Sequence, residues 1–196
     1  MKPKTSSIQK KHIITLAGRP GSGKSTAAKL IAERLNYQHF SSGDLFRELG
    51  KQRGMDLLQA NLAAEGKQEI DRLVDEKLRD IGANNDQVVI DSRTAWHWIP
   101  SSFKVFLDLE IQLAARRILS EMSEERLTSE NIPRDPIEYA KVLERRLELE
   151  NKRYKALYDI NPYDMTNYDL VVDTATNNID QVAELVVNGF RDWLKS

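Results

Sequence analysis

The feature that most constrains this chain is an eight-residue run, Gly18-Arg-Pro-Gly-Ser-Gly23-Lys24-Ser25, which meets the spacing G-x-x-x-x-G-K-[ST] in full. It separates two segments of different period. Residues 12–16 are a β-branched apolar run, and residues 25–35 carry Ala28, Leu30, Ile31 and Leu35 at helical spacing. A strand that passes through a glycine turn into a helix is the setting in which this spacing binds phosphate. Glycines let backbone N–H groups converge on anionic oxygens with no Cβ in the way. The start of the helix adds a dipole that favours anions. Lys24 then supplies a charge to the β- and γ-phosphates of ATP, and the Ser25 hydroxyl reaches Mg²⁺. The expected ATP-binding set is Gly18, Arg19, Pro20, Gly21, Ser22, Gly23, Lys24, Ser25 and Thr26.

The rest of the chain repeats the alternation. Short apolar runs at 37–40, 87–90, 104–109 and 168–172 read as strands. Helical periods fill 44–53, 56–64, 69–81, 110–122, 136–158 and 179–194. Alternating strands and helices predict an α/β domain of P-loop type, a five-stranded parallel sheet with helices on both faces. Residues 1–11 read as a flexible tail and 12–196 as one domain. Two stretches depart from the alternation. Residues 42–82 hold only helical patterns between two strands, and residues 120–135 are polar, contain Pro133 and show no apolar face. Both sit where βα loops meet at the ligand edge of such a sheet. The first is expected to be an acceptor-binding insertion and the second a short lid.

Val88-Val-Ile-Asp91 ends a strand in a carboxylate, which delivers Asp91 to the same edge as a partner for Mg²⁺ alongside Ser25. Composition limits the alternatives. A formal net charge of -1 gives no global basic field for nucleic acid. The absence of cysteine removes disulfides and thiolate metal sites and fits a cytoplasmic protein. The polar N-terminus has no apolar signal core, and no run approaches the ~20 apolar residues that span a bilayer. The expected partners are ATP and a small phosphate acceptor, with no nucleic acid, no membrane and a monomeric state.

Phosphoryl transfer needs positioned positive charge over several phosphates, and the planar fork of arginine suits it. Arg47 follows the second strand, Arg93 lies two residues past Asp91, and Arg117 lies on the helix after the fourth strand. Arg146, Glu150 and Arg153 share one helical face at i, i+4, i+7. Spacing alone also allows a solvated ion-pair face here. Trp96 and Trp98 read as packing residues, His12, His39 and His97 as structural, and Asp71 as a solvated helix carboxylate that can reach the acceptor base.

Taken in order, these residues resemble the nucleoside monophosphate kinases over nearly the whole chain, with the closest likeness to the cytidylate kinases and their archaeal type. Ser42-Gly-Asp-Leu-Phe-Arg47 resembles the acceptor motif S-G-x-x-[FY]-R, which implies that Arg47 contacts the acceptor phosphate while Ser42 and Asp44 line the acceptor pocket. Asp91-Ser-Arg93 resembles D-G-R and implies that Arg93 grips the same phosphate. Arg117-Ile118 resembles the entry to the lid, with its arginine against ATP. Arg146-x-x-x-Glu150-x-x-Arg153 resembles R-x-x-x-D-x-x-R, which places those arginines on the transferring phosphates and Glu150 in the acceptor site.

The implied catalytic set is Lys24, Arg93, Arg117, Arg146 and Arg153, and the implied reaction is ATP-dependent phosphorylation of a nucleoside monophosphate, CMP or dCMP. Three positions depart from the pattern. Thr94 stands where many relatives have an aspartate that reads the cytosine edge. Asp91 replaces a glutamate of the archaeal type, and Glu121 replaces a second lid arginine. The rival readings are another small-acceptor kinase on this scaffold (adenylate, dephospho-coenzyme A or shikimate) and an ATP-dependent switch. A GTPase switch needs N-K-x-D, and Asn151-Lys152 is followed by Arg-Tyr.

Overall fold

In the computed structural model, residues 10–52 and 64–196 are described. The expected helix at 56–64 lies almost wholly outside them. Five parallel strands form one sheet in the order β2-β3-β1-β4-β5: β1 (Ile13–Gly18), β2 (Gln38–Ser41), β3 (Val88–Asp91), β4 (Phe103–Asp108) and β5 (Leu170–Asp173). Every residue of β1 is buried, as a central parallel strand covered on both faces requires.

Side-chain alternation sorts the strands onto two cores. Ile14 and Leu16 of β1, with Val89, Val105 and Leu107, face α1 (Lys24–Leu35) and the C-terminal helix Ile179–Lys195. Ile13, with Val88 and Ile90, faces the opposite side. There it meets Ile70, Val74, Leu78 and Ile81 of the long helix Ala64–Asn84. Numbered in chain order, the helices are α1, α2 (Ser42–Gln52), α3 (Ala64–Asn84), α4 (Ala95–Trp98), α5 (Ile111–Glu121), α6 (Glu124–Ser129), α7 (Pro136–Tyr158) and α8 (Ile179–Lys195). Among the described residues no helix is long and apolar enough to cross a membrane.

Two elements differ from the sequence reading. Residues 95–98 form α4, a single turn too short for periodicity to reveal. The polar stretch 120–135 contains α6, capped by Ser123 and anchored by buried Leu127, while Ile132 packs on the cluster around Leu109, Ala114 and Leu143. One buried leucine per turn is below what a hydrophobic period registers, so the stretch that shows no apolar face in the sequence holds a short docked helix.

Candidate phosphate-transfer site

The chain runs out along β1, crosses through α1 to the edge strand β2, returns as β3 beside β1, and then passes to the other side of β1 as β4. The strand order reverses about β1, and the C-terminal ends there open the crevice in which ligands bind in such sheets. Register places Leu16 opposite Asp91 and Gly18 opposite Leu107, so the glycine loop, Asp91 and the end of β4 share one edge.

The loop is shaped by its glycines. Gly23, the N-cap of α1, has φ 74°, a left-handed conformation costly for a residue with a side chain. A Cβ at Gly18 would lie 2.6 Å from the Leu107 carbonyl oxygen, so the loop leaves the sheet in contact with β4. Arg19 is tied to the end of β4, its Nε donating to Asp108 Oδ1 at 2.7 Å. Around this loop lies a cavity of ≈ 330 Å³ lined by residues 18–26 together with Arg93, Arg117, Ile118 and Glu121.

At its floor, Lys24 Nζ is 2.8 Å from Asp91 Oδ1, and the Ser25 hydroxyl donates to Asp91 Oδ2. Asp91 is the buried end of β3. Arg117 reaches across from α5 and donates to the Thr174 carbonyl at 2.8 Å, just beyond β5.

The second arginine group centres on Glu150 of α7. Glu150 Oε2 lies 3.2 Å from Arg93 Nε and accepts from the Tyr163 hydroxyl at 2.5 Å, while Oε1 accepts from Arg146 Nε at 3.2 Å. Burial would raise the Glu150 pKa, but Arg93, Arg146 and the Tyr163 hydroxyl outweigh it and hold the carboxyl below the usual range. Burial works against the charge on Arg93, and Glu150 and the nearby tyrosines more than compensate, so its pKa is pushed up. Arg153 Nε lies 3.5 Å from Asp71 Oδ2. Both contacts are ionic, and neither buried Nε makes an aligned hydrogen bond through them. Asp71 is therefore buried in a charge contact, not solvated on its helix as its sequence setting suggests.

The structure gathers the expected donor residues 18–26, Arg93 and Arg117 around one cavity. Ser42 sits beside it through its hydroxyl, which donates to the Asp91 carbonyl at 3.2 Å. Arg47 is held by Asp44 on its own helix, an exposed pair outside the cavity lining. Arg146 is also more exposed and reaches the group through Glu150. Trp96 packs against Tyr168 as expected of a wall residue.

Sequence reasoning missed Asp75. This buried carboxylate accepts from the Trp98 indole N–H at 2.8 Å, from the Thr94 hydroxyl at 3.3 Å and from the Tyr158 hydroxyl. A signal was present: Asp71 and Asp75 are four residues apart, beside the apolar stripe of Ile70, Val74 and Leu78, which places both at the edge of the buried face.

A parallel sheet with this loop, Lys24 and Ser25 on a strand-end carboxylate, and arginines converging from the opposite wall defines a P-loop phosphotransferase. A family model described as an AAA domain matches residues 17–134. Two relatives make the assignment narrower. A cytidylate kinase of Haloarcula marismortui is 44% identical over 167 residues, covering 83% of this chain and 81% of that protein. One of Methanocaldococcus jannaschii is 39% identical over 176 residues, covering 89% and 94%. The chain belongs to the cytidylate kinase family, and is a nucleoside monophosphate kinase. Shikimate kinase from Aquifex aeolicus has the same fold, with a TM-score of 0.58 over 91% of this chain and 96% of that one, at 21% identity.

Proposed function

We propose that the chain transfers the γ-phosphoryl group of ATP to CMP or dCMP. An oxygen of the acceptor phosphate attacks the γ-phosphorus, the bond to the β-phosphate oxygen breaks, and ADP and the nucleoside diphosphate leave. The observation that carries this reading is the approach of Arg93 and Arg117 to the cavity around the glycine loop. Lys24 waits on Asp91 at the floor, and Arg93 is held by a contact to Glu150 that leaves its Nε without an aligned hydrogen bond. That Nε–H can donate to a phosphate oxygen without first breaking a well-formed hydrogen bond. Lys24 and Arg117 serve the ATP side. Arg93, with Arg47, Ser42 and Asp44, serves the acceptor, and Arg146 and Arg153 complete the charge that meets the transferring group.

Mg²⁺ fits the Ser25 hydroxyl and the Asp91 carboxylate, hard oxygen donors already in contact with each other. Such an ion would take its other ligands from phosphate and water. When bound it would neutralise charge on the β- and γ-phosphates. Residues 120–135 act as a lid, since Glu121 at their start already lines the cavity. Hydrogen exchange in them should slow when both nucleotide sites are filled, and unchanged exchange refutes the lid. A cytoplasmic location belongs to the same proposal, and the cysteine-free composition fits it.

The deciding experiment compares kcat/KM for CMP, dCMP, UMP, AMP and GMP with ATP and Mg²⁺. CMP and dCMP should lead. AMP ahead of CMP refutes the acceptor assignment, and no turnover of any nucleotide refutes the reading of the acceptor site as a whole.

A further inference from the structure

We infer that Asp75 is a positioning residue for base choice: it fixes the Thr94 hydroxyl as a hydrogen-bond acceptor and so selects a base that offers an exocyclic amino group. The inference rests on the acceptor reading above and adds to it that Thr94, which stands where many relatives carry a base-reading aspartate, faces the base edge. A free threonine hydroxyl both donates and accepts, and cannot tell the amino group of cytosine from the carbonyl of uracil.

Here both halves of that ambiguity are removed. The hydroxyl proton is committed, since Thr94 Oγ1 donates to Asp75 Oδ1 at 3.3 Å between two residues that are 5% and 4% exposed. Among the described residues no donor takes up the lone pairs. Thr94 is the N-cap of α4, where a threonine hydroxyl usually accepts from the first turn, yet it makes no side-chain cap bond. Its backbone groups are already used, with the N–H donating to Ser92 Oγ at 3.2 Å and the carbonyl accepting from His97 and Trp98.

Asp75 is itself held from two other sides, by Trp98 Nε1 at 2.8 Å and by the Tyr158 hydroxyl. It therefore cannot swing to offer Thr94 a different geometry. A carboxylate on the acceptor helix α3 thus does through a hydroxyl what a directly placed carboxylate would do, presenting only acceptors to the base edge. A uracil carbonyl in the same place would face lone pairs alone and leave a buried acceptor without a donor, which is the mismatch that discriminates most strongly.

The test is the ratio of kcat/KM for CMP to that for UMP. Asp75→Ala releases the Thr94 proton and should lower the ratio by roughly tenfold. Asp75→Asn keeps a carbonyl oxygen for Trp98 and Thr94, and should keep most of the preference. Thr94→Val should lose the preference and Thr94→Ser retain it. The second pair carries the test if Asp75→Ala does not fold, which its circular dichroism will show. A folded, active Asp75→Ala or Thr94→Val with the wild-type ratio overturns the inference, as does equal loss in Asp75→Asn and Asp75→Ala. A wild-type protein that phosphorylates neither CMP nor UMP overturns instead the acceptor reading on which the inference rests.

Discussion

Glu150→Gln isolates the charge that organises the acceptor wall. The side chain keeps its shape and one carbonyl oxygen, but loses the negative charge shared by Arg93, Arg146 and Tyr163. The amide N–H₂ faces Arg146 at lowest cost, because the Arg146 side chain is 57% exposed and can turn to water. The remaining oxygen then serves Tyr163 and Arg93. Arg93 and Glu150 are only 28% and 14% exposed at their side chains, so Arg93 keeps a mostly desolvated charge with no counter-ion. Breaking a buried pair costs about 3–5 kcal/mol. Partial access to water and the surviving hydrogen bond reduce this to about 2–3 kcal/mol. At about 2–4 °C per kcal/mol for a chain of this size, the melting midpoint should fall by about 4–12 °C. Glu148→Gln is the control: Arg145 and Glu148 are 72% and 68% exposed at 3.4 Å, and that pair is worth under about 0.5 kcal/mol. Differential scanning calorimetry near pH 7 measures both. A Glu150→Gln midpoint within about 1 °C of wild type, or no lower than that of Glu148→Gln, would refute the claim that Glu150 holds Arg93.

The same carboxyl sets an acid limit. Its folded pKa lies below the ordinary 4.5, so its stabilisation is complete above 4.5 and is lost as pH falls through the folded value. The gap in midpoint between wild type and Glu150→Gln should be constant above about pH 5.5 and close below pH 4.5, and a gap that stays constant to pH 3 contradicts the shift. Lys24→Ala should lower kcat by about 10²–10³-fold while the protein remains folded by circular dichroism, and near-wild-type turnover would remove Lys24 from the reaction. Gly18→Ala drives a Cβ to 2.6 Å from the Leu107 carbonyl, a backbone atom that cannot turn aside. It should cost about 1–3 kcal/mol in urea unfolding, and an unchanged midpoint would show that β1 and β4 can part there.

The glycine loop was legible in the sequence because phosphate binding is local: one strand end, one turn and one helix start supply it, within a single stretch of chain. The five strands and most helices were legible for the same reason, since each announces itself by its own period. Strand order, the contact of Gly18 with Leu107 and the direct ion pair of Asp91 with Lys24 were not, because they depend on which strands lie side by side. The charge pattern of α7 was visible as an i, i+4, i+7 face, but its meaning was open. The sequence allowed a solvated ion-pair ladder along one helix, and the fold turned Glu150 inward to Arg93 from the loop after β3 and to Tyr163 before β5. Asp71 and Asp75 looked like ordinary carboxylates of a polar helix. Burying Ile70, Val74 and Leu78 carried the two acids down with the apolar stripe. Once desolvated they had to find partners, which came from residues 153 and 158 on α7 and 94 and 98 after β3. Burial makes a polar group choose its neighbour, and only the tertiary structure decides which groups are buried together.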